Sequence, residues 1–462
     1  MYSWLARHTL APVLDFLRGT RTMKCLKELE ASQWWSRDKI LELQNQRLRQ
    51  LVRHAYDNVP YYRSLFDARA LKPSDIERVE DLVKLPILTK RLIRSNSDNL
   101  MTPGFPAKEL IPNATGGSTG EPLSFYSTRN DLYSRGFAAA QRAYRWAGNE
   151  IGDKCLSLRE LRPYWSIMER FRETSAQFFE RLTLFDTREM SAEKLSLLVR
   201  KLEDFQPEFI RGYPSVIYLL AQFIAREGKP RLRPKAIITT AEQLYDYQRD
   251  LYSKVFECET YDYYGSFELH AIACECAEHA GYHIAAENVV VEIVDDEGEP
   301  VPVGEEGRIL ITNLHNYAMP FIRYDIGDVG VTSDKACPCG RGLPLLAALN
   351  GRTADVIRTT SGKSIPGIAL PWGFLASLGV EQFQIVQESY QRVVVKLVLG
   401  REYPEEHADK LTREITSQYR PILGEDMDIA IEFVDQILPT RAGKRRLVIS
   451  NLPPPGGESN SV

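Results

Sequence analysis

The sequence predicts an α/β protein of two unequal domains. A large N-terminal α/β domain spans residues 1–352, with a helical entry region over 1–100, and a small C-terminal α+β domain spans 353–452. Three observations predict it. The chain has 462 residues, more than one typical domain needs. Between Glu208 and Tyr263 strand-like runs alternate with helical ones, the order of parallel α/β layers. Beyond Gly351-Arg352-Thr353-Ala354-Asp355 the order becomes strand, strand, helix, strand, which suits a small α+β unit.

The elements follow in chain order. Met1 to Gly19 is amphipathic, with Arg7, His8, Asp15 and Arg18 among Trp4, Leu5, Val13, Phe16 and Leu17. It reads as a helix lying on a surface, the protein's own body being the first choice and a membrane the second. Charge interrupts its apolar run, so it makes a poor signal peptide. From Ser36 to Tyr56 the positions Leu41, Leu48, Val52 and Ala55 share one helical face, and the Lys and Arg there read as its solvated side. Asn58-Val59-Pro60 ends that run. Ser191 caps a helix whose inner face is Leu195, Leu198, Val199 and Leu202. Glu208–Ile210, Ala236–Thr240 and Glu259–Tyr263 read as strands, with an apolar helix over Val216–Ala225. Val289–Val294 and Arg308–Thr312 read as antiparallel partners. The C-terminal unit offers strands at Gln382–Val386, Val393–Val398 and Asp428–Val434 and a helix at Glu405–Tyr419. The tail 453–462 is rich in Pro, Gly and Ser and reads as disordered.

Composition narrows the function. Hydrophobic residues make 44% and charged residues 26%, an ordinary globular balance that excludes disorder as the main state. The net charge of −4, from 58 basic and 62 acidic residues, argues against a polybasic nucleic-acid binder. No segment approaches the roughly 18 apolar residues of a membrane span. A cytoplasmic protein with reduced thiols is expected.

The sharpest local feature is Asn113-Ala114-Thr115-Gly116-Gly117-Ser118-Thr119-Gly120-Glu121-Pro122. Glycines let backbone amides turn toward one point, and hydroxyls beside them complete a nest suited to phosphate. It is not the Walker pattern, which ends in Gly-Lys-Ser/Thr. A polar surface turn is the plain rival. The second feature is a thiol set. Cys276-x6-His283 and Cys337-Pro338-Cys339 supply three thiolates and one imidazole, which suits tetrahedral zinc. Cys-x-Cys is tighter than the usual spacing, Cys274, His270 and His279 are other candidates, and four buried free side chains are the rival.

The loop at Thr115–Gly120 resembles the phosphate loop of the adenylate-forming enzymes, and four further segments follow in that family's order. Tyr264-Gly265-Ser266-Phe267-Glu268 is similar to its Tyr-Gly-x-Thr-Glu motif, with a serine read for the threonine. Arg323-Tyr324-Asp325-Ile326-Gly327-Asp328 resembles Tyr-x-x-Gly-Asp. Gly351–Asp355 resembles the hinge, and Arg441-Ala442-Gly443-Lys444-Arg445-Arg446 the terminal Gly-Lys-x-x-Arg. Within the superfamily the chain resembles the phenylacetate-CoA ligase family, in its capsular-polysaccharide-associated subgroup. The segments that carry this are His54–Tyr62, Leu85–Lys90, Arg211–Ser215 and Asn316–Pro320.

The resemblance implies an adenylate-forming fold and an ATP-dependent ligase. It would convert a carboxylic acid, aryl or related, to an acyl-adenylate and pass it to the thiol of CoA. Thr115, Gly116, Gly117, Ser118, Thr119 and Gly120 would hold the β- and γ-phosphates. Ala241, Glu242 and Tyr264 would flank the adenine. Ser266 would contact the α-phosphate, and Glu268 would hold Mg²⁺, a cation that demands oxygen ligands. Asp328 and Arg352 would meet the ribose. Lys444 would bridge carboxylate and α-phosphate, and Asp355 would be the pivot of a mobile C-terminal domain. Relatives with the late Cys-Pro/Ser-Cys-Gly-Arg segment look like zinc proteins, which implies a structural site of Cys276, His283, Cys337 and Cys339. A homodimer is a further implication. Two rivals stand beside this reading: an adenylating enzyme with a non-CoA acceptor in polysaccharide synthesis, and a non-catalytic scaffold of that pathway.

Overall fold

The computed structural model describes residues 2–114, 123–159, 177–178, 180–187, 190–227, 232–352, 356–360, 364–366, 370, 374–375, 378, 380–400, 408–438 and 446–452. A short hairpin comes first, of β1 (Leu110–Ala114) and β2 (Ser124–Thr128). The main sheet is built from β3 (Cys155–Arg159), β4 (Leu182–Asp186), β5 (Phe209–Gly212), β6 (Ala236–Thr240), β7 (Glu259–Ser266), β8 (His270–Glu275), β9 (Tyr282–Ile284), β10 (Val289–Val294), β11 (Glu306–Asn313), β12 (Tyr324–Ser333) and β13 (Leu345–Arg352). Among the described residues its order is β10-β11-β12-β13-β9-β8-β7-β6-β5-β3-β4.

The sheet changes character at β7. From β4 to β7 each pairing is parallel, and from β7 to β10 each is antiparallel. The alternation of strand and helix between Glu208 and Tyr263 dictates the first half, because a parallel pair needs a crossover helix. The helices Pro214–Glu227 and Asp246–Phe256 are those crossovers. With Ala192–Phe205 they cover the parallel strands through Leu198, Leu202, Val216, Leu220, Tyr252 and Phe256. Ser191 caps Ala192–Phe205 as expected, its Oγ accepting from Lys194 N at 3.3 Å.

The N-terminal helices cover the antiparallel half. Ser36 is the N-cap of the helix Arg37–Asn58. Two expectations for that helix need correction. Leu41 is not on the inner face, being 36% exposed. The buried stripe is Ile40, Gln44, Leu48, Leu51 and Ala55, spaced by three and four residues. Its basic side is not wholly solvated either, since Arg47 is half-buried and donates to the carbonyl of Glu287.

The C-terminal unit is a sheet of order β18-β17-β16-β19, from β16 (Val380–Ser389), β17 (Arg392–Leu399), β18 (Asp428–Phe433) and β19 (Val448–Ser450). The helix Ala408–Leu423 lays Leu411, Ile415, Tyr419 and Leu423 on it. A two-stranded ribbon, β14 (Val356–Arg358) and β15 (Ser364–Pro366), precedes it. This is the small α+β domain the sequence predicts. It touches the large domain where Tyr247 meets Phe383, ring centroids 5.9 Å apart, and where Arg226 pairs with Glu381 at 2.9 Å. The tail 453–462 lies outside the described residues.

Candidate active site

The candidate site lies where the sheet changes from parallel to antiparallel. β7 carries Tyr264 and Ser266 to its end, and the turn to β8 carries Phe267, Glu268 and Leu269. The turn is tight at both ends. A Cβ on Gly265 would come 2.5 Å from the backbone oxygen of His270, and His270 itself takes φ +58°. Glu268 is buried, and its Oε1 accepts from the Tyr324 hydroxyl at 2.9 Å. Its second oxygen accepts no hydrogen bond among the described residues. A buried carboxylate with one oxygen unengaged is the kind of donor that a hard cation takes.

Strands β7 and β12 are separated in sheet order by β8, β9 and β13. Their side chains nevertheless meet, because the sheet curls there. The Tyr264 hydroxyl donates to Asp328 Oδ2 at 2.7 Å, and the Tyr324–Glu268 bond makes a second stitch. Asp328 is buried at the edge of this pocket and lies opposite Arg352 in the β12–β13 register. Asp325 accepts from Gly327 N at 2.8 Å and from Arg308 at 3.1 Å, which fixes the turn before Asp328. Arg323, at φ +51°, donates to the carbonyls of Leu85 and Gly298 and to Glu292 at 3.0 Å, so it braces the segment from behind.

The structure thus brings Tyr264, Ser266, Glu268 and Asp328 to one place. Ser266 Oγ accepts from Leu269 N at 3.1 Å and keeps its own proton to donate. The motif match is corrected in one detail. Counted position by position, Phe267 stands where the family's motif has threonine, and Ser266 stands one place earlier. Phe267 is 51% exposed. Ala241, at φ +70°, ends β6, and Glu242 holds the start of Pro214–Glu227 by accepting from Ser215 N at 2.9 Å and Ser215 Oγ at 3.0 Å. The loop residues Thr115, Gly116, Gly117, Ser118, Thr119 and Gly120 lie outside the described residues, as do Asp355 and Lys444. The hairpin that carries the loop is closed, with Ala114 paired to Ser124. Sequence reasoning assigned no role to Tyr324, Ser215 or Arg308. Tyr324 stood inside a recognised motif, and that was the available signal.

A second cluster lies behind the first. Cys276 follows β8, His283 is in β9, and Cys337 and Cys339 sit in the turn from β12 to β13. Their ligand atoms lie within 4.8 Å of one another, with Cys276 Sγ 3.6 Å from Cys337 Sγ and Cys339 Sγ 3.2 Å from His283 Nε2. Cys274, His270 and His279 do not join them. Burial, with Arg341 nearby, pushes His283 down to about 4, so its imidazole is neutral near pH 7, the form that ligates metals. Burial pushes the Cys276 thiol up to about 12. Burial also opposes a thiolate at Cys339, but hydrogen bonds from the Arg341 backbone and side chain win and lower it. Three sulfurs and one imidazole at these separations fit the edges of a tetrahedral zinc site.

The mixed sheet and small C-terminal domain go with the sequence match of residues 113–318 to the family described as AMP-binding enzyme. Residues 358–451 match the CapK C-terminal domain. The chain is 30% identical over 335 residues to a phenylacetate-coenzyme A ligase of Pseudomonas putida, covering 69% of this chain and 72% of that one. It is 26% identical over 424 residues to Protein CapK of Staphylococcus aureus, covering 89% and 90%. A solved structure of 2-hydroxyisobutyryl-CoA ligase in its postadenylation state superposes with a TM-score of 0.71 at 20% identity, over 88% and 89% of the two chains. The chain belongs to the phenylacetate-CoA ligase family, with a CapK-like C-terminal part, and it is a ligase rather than a scaffold.

Proposed function

We propose that the protein activates a carboxylic acid, aryl or related, with ATP and passes the acyl group to the thiol of CoA. A carboxylate is a poor acyl donor because oxide is a poor leaving group. Its attack on the α-phosphorus of ATP breaks the bond to pyrophosphate and forms an acyl-adenylate. The thiolate then attacks the acyl carbon and AMP departs. Most of the protein's work is alignment and charge neutralisation. Glu268 would hold Mg²⁺, whose charge offsets that developing on the phosphates. Ser266 would donate to the α-phosphate, Tyr264 would stack on adenine, Asp328 would accept from the ribose hydroxyls with Arg352 near them, and Ala241 and Glu242 would flank the base. Thr115 to Gly120 would cradle the outer phosphates.

Lys444 would bridge the carboxylate and α-phosphate. A swing of residues 353–452 about Asp355 would remove it for the second step. Cys276, His283, Cys337 and Cys339 would hold a structural Zn²⁺, which with four protein ligands has no open position for chemistry. We place the protein in the cytoplasm, as a homodimer.

The observation that supports the reading is the pair of bonds Tyr264–Asp328 and Tyr324–Glu268, which hold the side chains proposed for the base, the ribose and the metal near one another. A second reading rests on a specific observation as well. The similarity to the phenylacetate-CoA ligase of Pseudomonas putida covers 69% of this chain and that to Protein CapK 89%, and residues 358–451 match the CapK C-terminal domain. If the acceptor meets the acyl-adenylate beneath the C-terminal domain, that is where a non-CoA acceptor of polysaccharide synthesis would be chosen. Pyrophosphate release over a panel of carboxylic acids, each with and without CoA, tests both. Acid-dependent release with accumulation of a CoA thioester supports the first reading. Acid-dependent release that ignores CoA supports the second. No release with any acid contradicts both.

A further inference from the structure

The first helical segment is inside out. Residues Tyr2–Leu5 and Ala11–Arg18 are α-helical, joined by a π-helical stretch at Ala6–Leu10. The exposed positions of this segment are Trp4, Leu5, His8, Thr9, Pro12, Val13, Phe16 and Leu17, one unbroken stripe repeating every four residues. No Lys, Arg, Asp or Glu lies on it. Trp4 is 66% exposed, Val13 51%, Phe16 85% and Leu17 72%. The charged residues are on the other side, against the protein. Arg7 pairs with Glu30 at 3.1 Å and Glu150 at 3.8 Å. Asp15 accepts from Thr20 Oγ1 at 2.6 Å and from Met23 N at 2.7 Å. An ordinary surface helix buries its apolar stripe and shows its charges.

The helix cannot roll over to correct this. Ser3 Oγ donates to Asp153 at 2.6 Å, and Ala6 is buried against Gly152, where a Cβ would come within 2.6 Å of the alanine Cβ. Arg129 donates to the carbonyl of Arg18 at 3.3 Å, which ties down the far end. The apolar stripe, Trp4 to Leu17, is therefore held outward over about 20 Å, at about 1.5 Å per residue.

We propose that this ridge docks the enzyme on an anionic lipid surface. Exposed Arg21, Lys24 and Lys27 follow the ridge. Together they outnumber the one exposed acid beside them, Glu28, and Asp15 is engaged by Thr20 and Met23. Trp, Phe and Leu set in a basic rim suit the boundary between headgroups and acyl chains. A second copy fits less well, because an identical stripe, with no acidic residue on it, offers the basic residues no counterpart. The tail 453–462 offers only Val462 as a large apolar side chain.

Flotation of the full chain with vesicles tests this, using phosphatidylcholine alone and phosphatidylcholine with about a third phosphatidylglycerol. The wild type should float with the anionic vesicles, and less as salt rises. The double variant Phe16→Asp/Leu17→Asp should float at least tenfold less with an unchanged thermal midpoint, and Arg21→Glu/Lys24→Glu should lose the preference for phosphatidylglycerol. A wild type that stays with the soluble fraction would overturn the proposal. So would a double variant that floats equally well, or a concentration-dependent dimer that the double variant abolishes while vesicles are ignored.

Discussion

At Glu268 the two carboxylate oxygens have different neighbours, and that difference decides what a substitution does. Oε1 is engaged by Tyr324, and Oε2 accepts no hydrogen bond among the described residues. Glu268→Gln keeps an acceptor for Tyr324 and removes the charge. We expect adenylation to fall on the order of a hundredfold with little change in thermal midpoint; a fall of less than threefold in steady-state turnover would remove the metal role. Tyr264→Phe keeps an aromatic face and deletes the donor to Asp328. A hydrogen bond to a charged group contributes roughly 1.5–3 kcal/mol, so KM for ATP should rise about tenfold or more while kcat holds. An unchanged KM would mean that the hydroxyl plays no part in holding Asp328. Glu292, behind the site, is pushed up to about 7 by burial, although Arg323 at 3.0 Å opposes this. Its folded value lies above its ordinary 4.5, so the stability it contributes is full below pH 4.5 and is lost as pH rises through 7. Thermal midpoints from pH 5 to pH 8 should therefore drop more steeply in the wild type than in Glu292→Gln, and parallel curves would contradict the assignment. Motif order made Tyr264, Glu268 and Asp328 legible in the sequence. Tyr324 and Ser215 were not assigned, because their work is to hold another side chain, and such pairs form only when distant strands meet.

Elements show the same division. Periodicity sufficed for Ala192–Phe205, Pro214–Glu227 and β6, where one face is buried and the pattern repeats. It failed for Leu41 because a helix face drifts from a strict repeat, so a residue one place from the stripe looks inward on paper. It also mis-set the first helix, whose outward stripe follows from contacts with Asp153, Glu30 and Gly152 that no local pattern contains. Cys337 and Cys339 in the turn from β12 to β13 were singled out in the sequence with Cys276 and His283 as three thiolates and one imidazole, and the structure does bring the four together. The structure adds the turn's anchors, with Gln33 Oε1 accepting from Trp146 at 2.8 Å and from Arg341 at 3.1 Å. If zinc is bound there, purified protein should carry about one zinc per chain by elemental analysis. Cys337→Ser should lose it and melt several degrees lower, since structural sites contribute directly to folding. Wild-type protein stripped of metal that melts at the same temperature as the metal-loaded protein would contradict a structural site.

For the whole molecule, the question is how one pocket serves two half-reactions. The domains meet through an aromatic contact at Tyr247–Phe383 and an exposed ion pair, Arg226–Glu381. Exposed pairs contribute about 0–1 kcal/mol, so the ion pair adds little resistance to reorientation. The fold class was readable from strand order, and the two family matches, 113–318 and 358–451, fall on either side of the expected hinge. The curl of the sheet that brings β12 to β7 was not readable, because it is set by register and packing across non-neighbouring strands. On the proposed function, Tyr264, Glu268 and Asp328 would form a Mg-ATP site at which an acid is adenylated before any acceptor arrives. Isotope exchange between pyrophosphate and ATP measures that half-reaction alone. The expected exchange requires the acid and Mg²⁺, proceeds without CoA, and is lost in Lys444→Ala. Exchange absent from the wild type, with an acid that the same protein converts to product, would contradict it.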